Sequence, residues 1–191
     1  MGAGKTTLAR LLGEHLGVTV VLEDIDRHPF LADFYSSPSE SALQTEICFV
    51  LLHYHQLCSA LRSAAGGLVV TDFSLDKDSV FASVTLRGEE MPPFRGVFEY
   101  FAAKLPAPDL VVYLDASVDL QYERVFRRGR PFEAAVSRGY LERLSLAYYD
   151  YLHTLPPGRT VCVNADETDF LRQADQCRRL GERIARALEL A

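Results

Sequence analysis

The chain has 191 residues, of which 48% are hydrophobic, and a formal net charge of −6. This length and composition suit a single domain, residues 1–191, with a substantial core. The acidic balance argues against a protein that coats nucleic acid or binds an anionic membrane surface. No apolar run reaches the ~18 residues of a membrane span, and the four cysteines form no C-x-x-C pair typical of a zinc site. We expect a cytoplasmic location.

The chain opens on the glycine-rich string GAGKTT, which runs directly into an apolar helical pattern. The string matches the second half of a P-loop, whose backbone amides hold a nucleoside triphosphate at a helix N-terminus. Lys5 is expected to bridge the outer phosphates and Thr6 to ligate Mg²⁺. The predicted triphosphate-binding residues of this loop are Gly2, Ala3, Gly4, Lys5, Thr6 and Thr7.

The motif's first glycine, and the strand that normally leads into it, would precede Met1 when the spacing is counted back from Gly4. We therefore expect a P-loop fold whose first, central strand is missing from this chain. Without the missing strand, its two neighbours would have unpaired backbone N–H and C=O groups in a dry core, and each unpaired group costs free energy of folding. On that ground we expect the chain expressed from Met1 to be insoluble or inactive, and a version extended upstream to fold.

Short apolar runs alternate with longer helical patterns along the chain. In order, the predicted elements are helix 5–16, strand 18–22, helix 39–64, strand 68–71, helices 77–86 and 93–105, strand 110–114, helices 118–128 and 135–154, strand 160–163 and helix 168–190. Continuous apolar strands are typical of a parallel sheet covered on both faces. The alternation predicts an α/β domain of the P-loop NTPase type, with three layers and helices on both faces of a central parallel sheet.

Three carboxylates, Glu23, Asp24 and Asp26, follow the predicted strand 18–22. Ligands bind at the carboxyl ends of strands in parallel α/β sheets. A carboxylate at this edge can accept the proton of a hydroxyl group that attacks a γ-phosphate.

Several spaced motifs together resemble the deoxynucleoside kinase family, and most closely its bacterial deoxyadenosine/deoxyguanosine kinase branch. They are RHPFLADFY at 27–35, ALQTEI at 42–47, TDFSLDKDSVFA at 71–82, LPAPDLVVYLDAS at 105–117 and RRGRPFE at 127–133. The resemblance extends to about residue 152. It implies ATP- and Mg²⁺-dependent transfer of the γ-phosphoryl group to the 5′-hydroxyl of a deoxynucleoside, a purine one, in nucleotide salvage.

The resemblance also implies roles near the reacting hydroxyl. Glu23 takes the position of the family's acid that binds the 5′-hydroxyl and acts as general base. Asp72 takes the position of an acid close to the metal and the same hydroxyl, so it ligates Mg²⁺ or shares the role of base. Sequence alone leaves open which of the two accepts the proton.

Residues for the sugar and the base follow from the same resemblance. Gln44 matches the family's base-reading glutamine, and an amide can pair bidentately with a base edge. Tyr35 and Glu133 match the pair that holds the 3′-hydroxyl. Asp78 matches the base-binding acid by its spacing from the strand end, whereas alignment to the following VFA string selects Lys77 instead.

An arginine-rich lid is expected at about 124–135. Arg124 and Arg128 share a helix face, and Gly129 ends that helix before Arg130. Their guanidinium groups suit the charge of a transferring phosphoryl group and of ATP, with Arg128 as a catalytic residue.

Two features depart from the family pattern. Phe73 stands where many members have an arginine, and His53 stands where relatives have an arginine in the long helix. His53 and His55 are two residues apart and point in different directions on a helix, so we interpret them as packing or substrate-side residues rather than metal ligands.

Two alternatives stay open at this point: a kinase-like accessory subunit with weak catalysis, and another P-loop small-molecule kinase such as a thymidylate kinase. Thymidylate kinases lack the Phe30…Tyr35 and Gln44 arrangement. The helix around 42–61 carries apolar residues on more than one face, so a homodimer is expected.

Overall fold

The computed structural model describes residues 1–168, 170 and 174–189. The helices are α1 (Lys5–Leu16), α2 (Leu31–Ser36), α3 (Pro38–Ser63), α4 (Leu75–Thr85), α5 (Met91–Ala102), α6 (Val118–Arg128), α7 (Arg138–Leu152) and α8 (Ala174–Glu189). The strands are β1 (Thr19–Val21), β2 (Val69–Thr71), β3 (Val111–Asp115) and β4 (Thr160–Asn164). Short 3-10 turns lie at Ile25–Arg27 and Pro131–Ala135.

The predicted strands and long helices are confirmed, with shifts of a few residues at their ends. Helix α4 begins two residues earlier than predicted because Ser74 caps it, its hydroxyl oxygen accepting from the Lys77 backbone N–H. Helix α2 and the two turns were not predicted, since six residues or fewer carry too little periodicity to be recognised. The predicted helix 168–190 is confirmed over 174–189; residues 169, 171–173 and 190 lie outside the described residues.

The strands form two parallel pairs. Strand β1 pairs with β2 in the register Thr19↔Val69, and β3 pairs with β4 in the register Val111↔Thr160. Within the described residues, β2 and β3 form no ladder with each other. The central parallel sheet of the prediction is thus divided into two halves.

A cavity of about 480 Å³ separates the two halves. Val70 lines it from β2, Val112 and Leu114 from β3, and Leu8 and Leu12 from α1. It is mainly apolar, and one edge of β2 and one of β3 have no strand partner in the described part of the chain. The prediction that an added strand would restore folding stays a prediction.

Two hydrophobic clusters hold the halves in place. One joins α1, β3, β4 and α8 through Leu12, Leu114 and Val163, and the other joins α3, α4 and α5 through Val50, Ala82 and Phe94. The first cluster thus holds α1 against β3 and β4, and the second holds α3 against α4 and α5. No helix in the described residues is long and apolar enough to cross a membrane.

Candidate active site

The GAGKTT string forms a tight loop at the N-terminus of α1. Gly4 caps the helix with φ 99°, and Gly2 has φ 67°. A Cβ atom on Gly2 would lie 2.5 Å from the carbonyl oxygen of Gln121 in α6, so only glycine fits there. The loop therefore presents free backbone N–H groups at a helix N-terminus, which is an anion-binding arrangement.

Thr6, Asp72 and Glu23 are joined by hydrogen bonds. The Thr6 hydroxyl donates to Asp72 Oδ2 at 2.5 Å, and the backbone N–H of Glu23 donates to Asp72 Oδ1 at 2.7 Å. Asp72 directly follows β2, and its carboxylate thereby connects the P-loop helix to the chain after β1. The structure thus brings these three predicted site residues together; their roles stay predictions.

The Glu23 side chain lies against two cationic side chains. Lys77 Nζ donates to Glu23 Oε1 at 2.7 Å, and His53 Nε2 lies 3.1 Å from the same oxygen. Glu23 Oε2 has no hydrogen-bond partner among the described residues, and the side chain keeps 20% of its surface exposed. One carboxylate oxygen is thus held by the protein and the other is open.

His53 bridges Glu23 to Asp78. Its Nδ1 lies 2.8 Å from both carboxylate oxygens of Asp78, while Nε2 faces Glu23. An imidazole with a carboxylate at each nitrogen donates from both nitrogens and is positively charged. Lys77 Nζ is also 4.0 Å from Asp78 Oδ1. We call Glu23, His53, Lys77 and Asp78 the buried charge cluster; its two anions and two cations balance.

The electrostatics of the cluster follow from these contacts. Burial would raise the pKa of Glu23, but Lys77 and His53 outweigh it and hold that pKa well below its usual range. Burial would lower the pKa of His53, but Asp78 and Glu23 raise it overall. Lys77, likewise buried, has its pKa raised because Glu23 and Asp78 outweigh desolvation. At neutral pH Glu23 is therefore ionised beside two cations.

Aromatic rings surround the cluster. The His53 ring stacks on Phe73 at 4.6 Å between centroids and on Phe49 at 5.4 Å, and Phe49 lies 4.1 Å from the His28 ring. Lys77 Nζ lies 4.9 Å from the Phe49 centroid. Phe73 stands where many members of the family have an arginine, and His53 stands where relatives have a second arginine. Here the two rings pack on each other.

The lid is held by an ion pair of its own. Arg128 Nη2 lies 2.5 Å from Glu133 Oε1, and Arg128 Nε donates to Glu133 Oε2 at 3.0 Å. Arg130 lies 3.8 Å from the same carboxylate. Arg124 Nη1 donates to the Ala3 carbonyl at 3.2 Å, so it ties α6 to the P-loop. The structure brings all three predicted lid arginines to this region.

Tyr35 lies near the lid, as predicted. Its ring packs 5.6 Å from that of Phe132, and burial together with the Glu133 carboxylate raises the pKa of its hydroxyl. The hydroxyl donates to the sulfur of Met1 at 3.9 Å. Glu133 is buried and paired with Arg128.

Gln44 has no contact with the buried charge cluster among those given for the described residues. Its side chain is exposed on α3, whereas Thr45 and Glu46 beside it are buried. The helix turns its 42, 46, 50 and 53 positions inward, about one residue out of phase with the face suggested by Leu43, Ile47 and Leu51. An exposed side chain is free to contact a ligand, so the base-reading role of Gln44 stays a prediction.

Four residues in or beside the site were missed or only partly recognised. Lys77 and Asp78 were offered as alternatives, and both belong to the buried charge cluster. His53 was expected either to pack inside the protein or to face the substrate. It is buried, and its ring bridges Glu23 and Asp78. Glu46 was not singled out; its spacing of seven residues from His53, two helical turns, was the available signal.

Comparison with known proteins resolves the family. The family model described as "Deoxynucleoside kinase" matches residues 1–189. The chain belongs to the deoxynucleoside kinase family. It is 30% identical to the deoxyguanosine kinase of Bacillus subtilis over 96% of this chain and 92% of that protein. It is 32% identical to the deoxyadenosine kinase of Dictyostelium discoideum over 81% of this chain and 64% of that protein.

Solved structures confirm the fold. The deoxyadenosine kinase of M. mycoides with bound dCTP superposes with a TM-score of 0.80 at 18% identity, covering 95% of each chain. The same enzyme with bound dATP gives 0.80 at 20% identity, over 94% of this chain and 95% of that one. The predicted P-loop NTPase-like α/β fold is therefore confirmed.

Proposed function

We propose that this chain is a deoxynucleoside kinase that transfers the γ-phosphoryl group of ATP to the 5′-hydroxyl of a purine deoxynucleoside. The observation that carries the proposal is the position of Glu23. Its Oε1 is fixed by Lys77 and His53, and its backbone N–H donates to Asp72, which also accepts from the P-loop residue Thr6. A hydroxyl bound to Oε2 would face the anion site of α1.

Glu23 is the better candidate for the general base. Both oxygens of Asp72 already accept hydrogen bonds, from Thr6 and from the Glu23 amide, so Asp72 positions its neighbours. Lys77 and His53 hold the pKa of Glu23 well below its usual range, so the carboxylate is ionised at neutral pH and able to accept a proton.

The residues at the P-loop fit a magnesium ion. Thr6 Oγ1 and Asp72 Oδ2 are 2.5 Å apart, and hydroxyl and carboxylate oxygens are the ligands that Mg²⁺ prefers. No group of three or more acidic, histidine or cysteine residues suited to a metal occurs in the described residues, and Mg²⁺ commonly takes only one or two protein ligands. The bound ion would neutralise charge on the outer phosphates.

The remaining residues supply binding and charge stabilisation. Lys5 lies at the start of α1, where it can reach the β- and γ-phosphates. Arg124, Arg128 and Arg130 can engage the transferred group when the lid closes. Tyr35 and Glu133 would hold the 3′-hydroxyl once Glu133 gives up part of its contact with Arg128.

We further propose that the enzyme is a cytoplasmic homodimer. Large apolar side chains are exposed on α3 at Leu51 and on α7 at Leu146 and Tyr149. Exposed side chains of this kind are frequent at subunit contacts when they form a patch. Light scattering coupled to size-exclusion chromatography tests the dimer: a mass near twice 21.4 kDa supports it, and a mass of one chain opposes it.

ADP formation in the presence of Mg²⁺ tests the activity. The protein is incubated with ATP and, in turn, with no acceptor, each of the four deoxynucleosides, and thymidine monophosphate. A kinase of this class forms ADP only when a deoxynucleoside is present and yields its 5′-monophosphate. Turnover with thymidine monophosphate alone would select a thymidylate kinase, and ATP binding without any turnover would select an accessory subunit.

A further inference from the structure

The buried charge cluster divides into two ion pairs when its contacts are compared by distance and exposure. Lys77 Nζ lies 2.7 Å from Glu23 Oε1 but 4.0 Å from Asp78 Oδ1, so its partner is Glu23. His53 Nδ1 lies 2.8 Å from both oxygens of Asp78, whereas its Nε2 lies 3.1 Å from Glu23, so its closer partner is Asp78. The side chains of His53 and Asp78 are each 1% exposed, and those of Lys77 and Glu23 keep 10% and 20%. The pair Lys77–Glu23 is therefore the more accessible of the two.

Lys77 occupies a position that local structure disfavours for a cation. It is the third residue of α4, and its backbone N–H donates to the hydroxyl oxygen of the cap residue Ser74. The positive end of the helix dipole lies in this first turn and favours acidic side chains, such as Asp76 and Asp78. Burial also disfavours a charged ammonium group. A cation that both the helix end and its burial oppose indicates a functional role, since local rules are broken mainly at functional sites.

Aromatic rings hold the ammonium group of Lys77 in place. Its Nζ lies 4.9 Å from the ring centroid of Phe49 in α3 and 4.9 Å from that of Phe81 in α4. Each ring attracts the cation and blocks a direction in which the long side chain could otherwise turn. The Glu23 carboxylate is thus met by a donor of fixed position.

The charge of Lys77 acts on both sides of the site. Burial lowers the pKa of the P-loop residue Lys5, Glu23 opposes that shift, and Lys77 lowers the pKa further. Burial and Glu133 raise the pKa of Tyr35, and Lys77 opposes that rise. Lys77 and Glu23 therefore lie within electrostatic reach of the phosphate-binding lysine and of the predicted sugar-binding tyrosine.

We propose that Lys77 is a positioning residue for phosphoryl transfer, which holds Glu23 Oε1 so that the carboxylate is aimed at the 5′-hydroxyl of the bound nucleoside. This inference rests on the proposed function, in which Glu23 is the general base. His53 and Asp78 form the structural pair of the cluster and connect α3 to α4. A buried ion pair is weak evidence for stability, because desolvation offsets the attraction between its charges. Orientation of a reacting group is a role that an apolar pair could not fill.

The expected effect of Lys77 is on the rate rather than on nucleoside binding. A general base must lie within hydrogen-bond reach of the proton that it takes, and a displacement of about 1 Å can cost about 10²-fold in rate. Without Lys77, the Glu23 side chain would keep only its 3.1 Å contact with His53 among the described residues. It could then rotate away from the hydroxyl. An interaction that matters only in the transition state lowers kcat and leaves substrate affinity largely unchanged.

A double-mutant cycle between Lys77→Met and Glu23→Gln tests the proposal, with single-turnover transfer from ATP to the best deoxynucleoside acceptor as the readout. Methionine keeps the length of the side chain and packs well against aromatic rings. In the unchanged background, Lys77→Met should lower the rate about 10²-fold and leave the deoxynucleoside dissociation constant within a few-fold. In the Glu23→Gln background it should alter the rate no more than a few-fold, because its effect passes through Glu23. Lys104→Met is the matched control, since Lys104 is exposed, and it should leave the rate unchanged.

Folding is separated from catalysis by chemical denaturation of the same variants. Lys77→Met alone leaves the cluster one cation short and should lower the denaturation midpoint. The double variant keeps the balanced pair His53–Asp78 and should regain part of that loss. Lys77→Arg keeps the charge and its donors, so it should fold and lose less rate than Lys77→Met.

Three outcomes would overturn the inference. One is an equal fold-loss from Lys77→Met in both backgrounds, which would mean that Lys77 acts on the phosphates directly. The others are a Lys77→Met rate equal to that of Lys104→Met, and a folded Lys77→Arg variant as slow as Lys77→Met. These outcomes occur in an active enzyme, whereas no transfer by the unchanged protein to any deoxynucleoside would overturn the proposed function itself.

Discussion

The nucleoside side and the phosphate side of the site neutralise their charges differently. On the nucleoside side, Glu23, His53, Lys77 and Asp78 are paired with each other deep between β1, α3 and α4. On the phosphate side, Lys5 forms no ion pair in the described part of the chain, and Arg128 is paired with Glu133 of the lid. The nucleoside side is thus complete without ligand, whereas the phosphate side is completed by the triphosphate.

This difference indicates which side of the site moves during the reaction. A buried, balanced cluster resists rearrangement because separating any pair leaves an uncompensated charge. The side chains of Arg128 and Arg130 are more than a third exposed, so they can turn toward a bound phosphate, while their shared partner Glu133 is buried. We expect the nucleoside to bind a preformed site and the lid to close over ATP.

Breaking the buried charge cluster should have the largest effect on stability. His53→Ala removes the bridge between Glu23 and Asp78, so each of these buried carboxylates loses one cationic partner. Loss of one partner of a buried ion pair costs about 3–5 kcal/mol in unfolding free energy. Chemical denaturation measures it, with the exposed neighbour His55→Ala as the matched control. A loss no larger than that of the control would show that the cluster does not brace the fold.

Removing a lid arginine should affect turnover instead. Arg128→Ala is expected to lower kcat by about 10²–10³-fold, the cost of deleting one preorganised donor to developing charge. Nucleoside affinity should change little, because the guanidinium is held on the lid. Arg127→Ala is the control, since Arg127 is exposed and pairs only with Glu123 on its own helix. Equal kcat values for the two variants would remove Arg128 from the catalytic residues.

A smaller effect is expected from pH. The pKa of His53 is raised in the folded protein, so its stabilisation is fully present below the unfolded value of about 6.5 and is lost as pH rises through the folded-state pKa. The stability difference between the unchanged protein and His53→Gln should therefore shrink as pH is raised above neutrality. A difference that stayed constant or grew with pH would mean that His53 is neutral in the fold.

The parts of this site that sequence predicted are those set by local pattern. Gly2, Gly4 and Thr6 belong to one short motif, and Asp72 follows a strand of continuous apolar residues, so their meeting at one sheet edge follows from fold class. The lid arginines share a helix face by spacing alone. Each of these placements needs only the chain near the residue itself.

The parts that sequence did not predict depend on contacts between distant elements. The inward face of α3 carries the polar residues Thr45, Glu46 and His53, so hydropathy does not reveal that this face is buried. The sequence analysis instead selected Gln44, whose side chain is exposed. His53 could be placed between Glu23 and Asp78 only once α3, α4 and the chain after β1 had been brought together.

The most direct test of the account is single-turnover phosphoryl transfer by Glu23→Gln, together with the deoxynucleoside dissociation constant. The amide keeps the shape of the side chain and a contact with the 5′-hydroxyl but cannot take its proton. Loss of a general base costs about 10²–10⁴ in rate, so transfer should fall by that factor while nucleoside binding stays within a few-fold. A rate near that of the unchanged protein would contradict the account and move the base to Asp72.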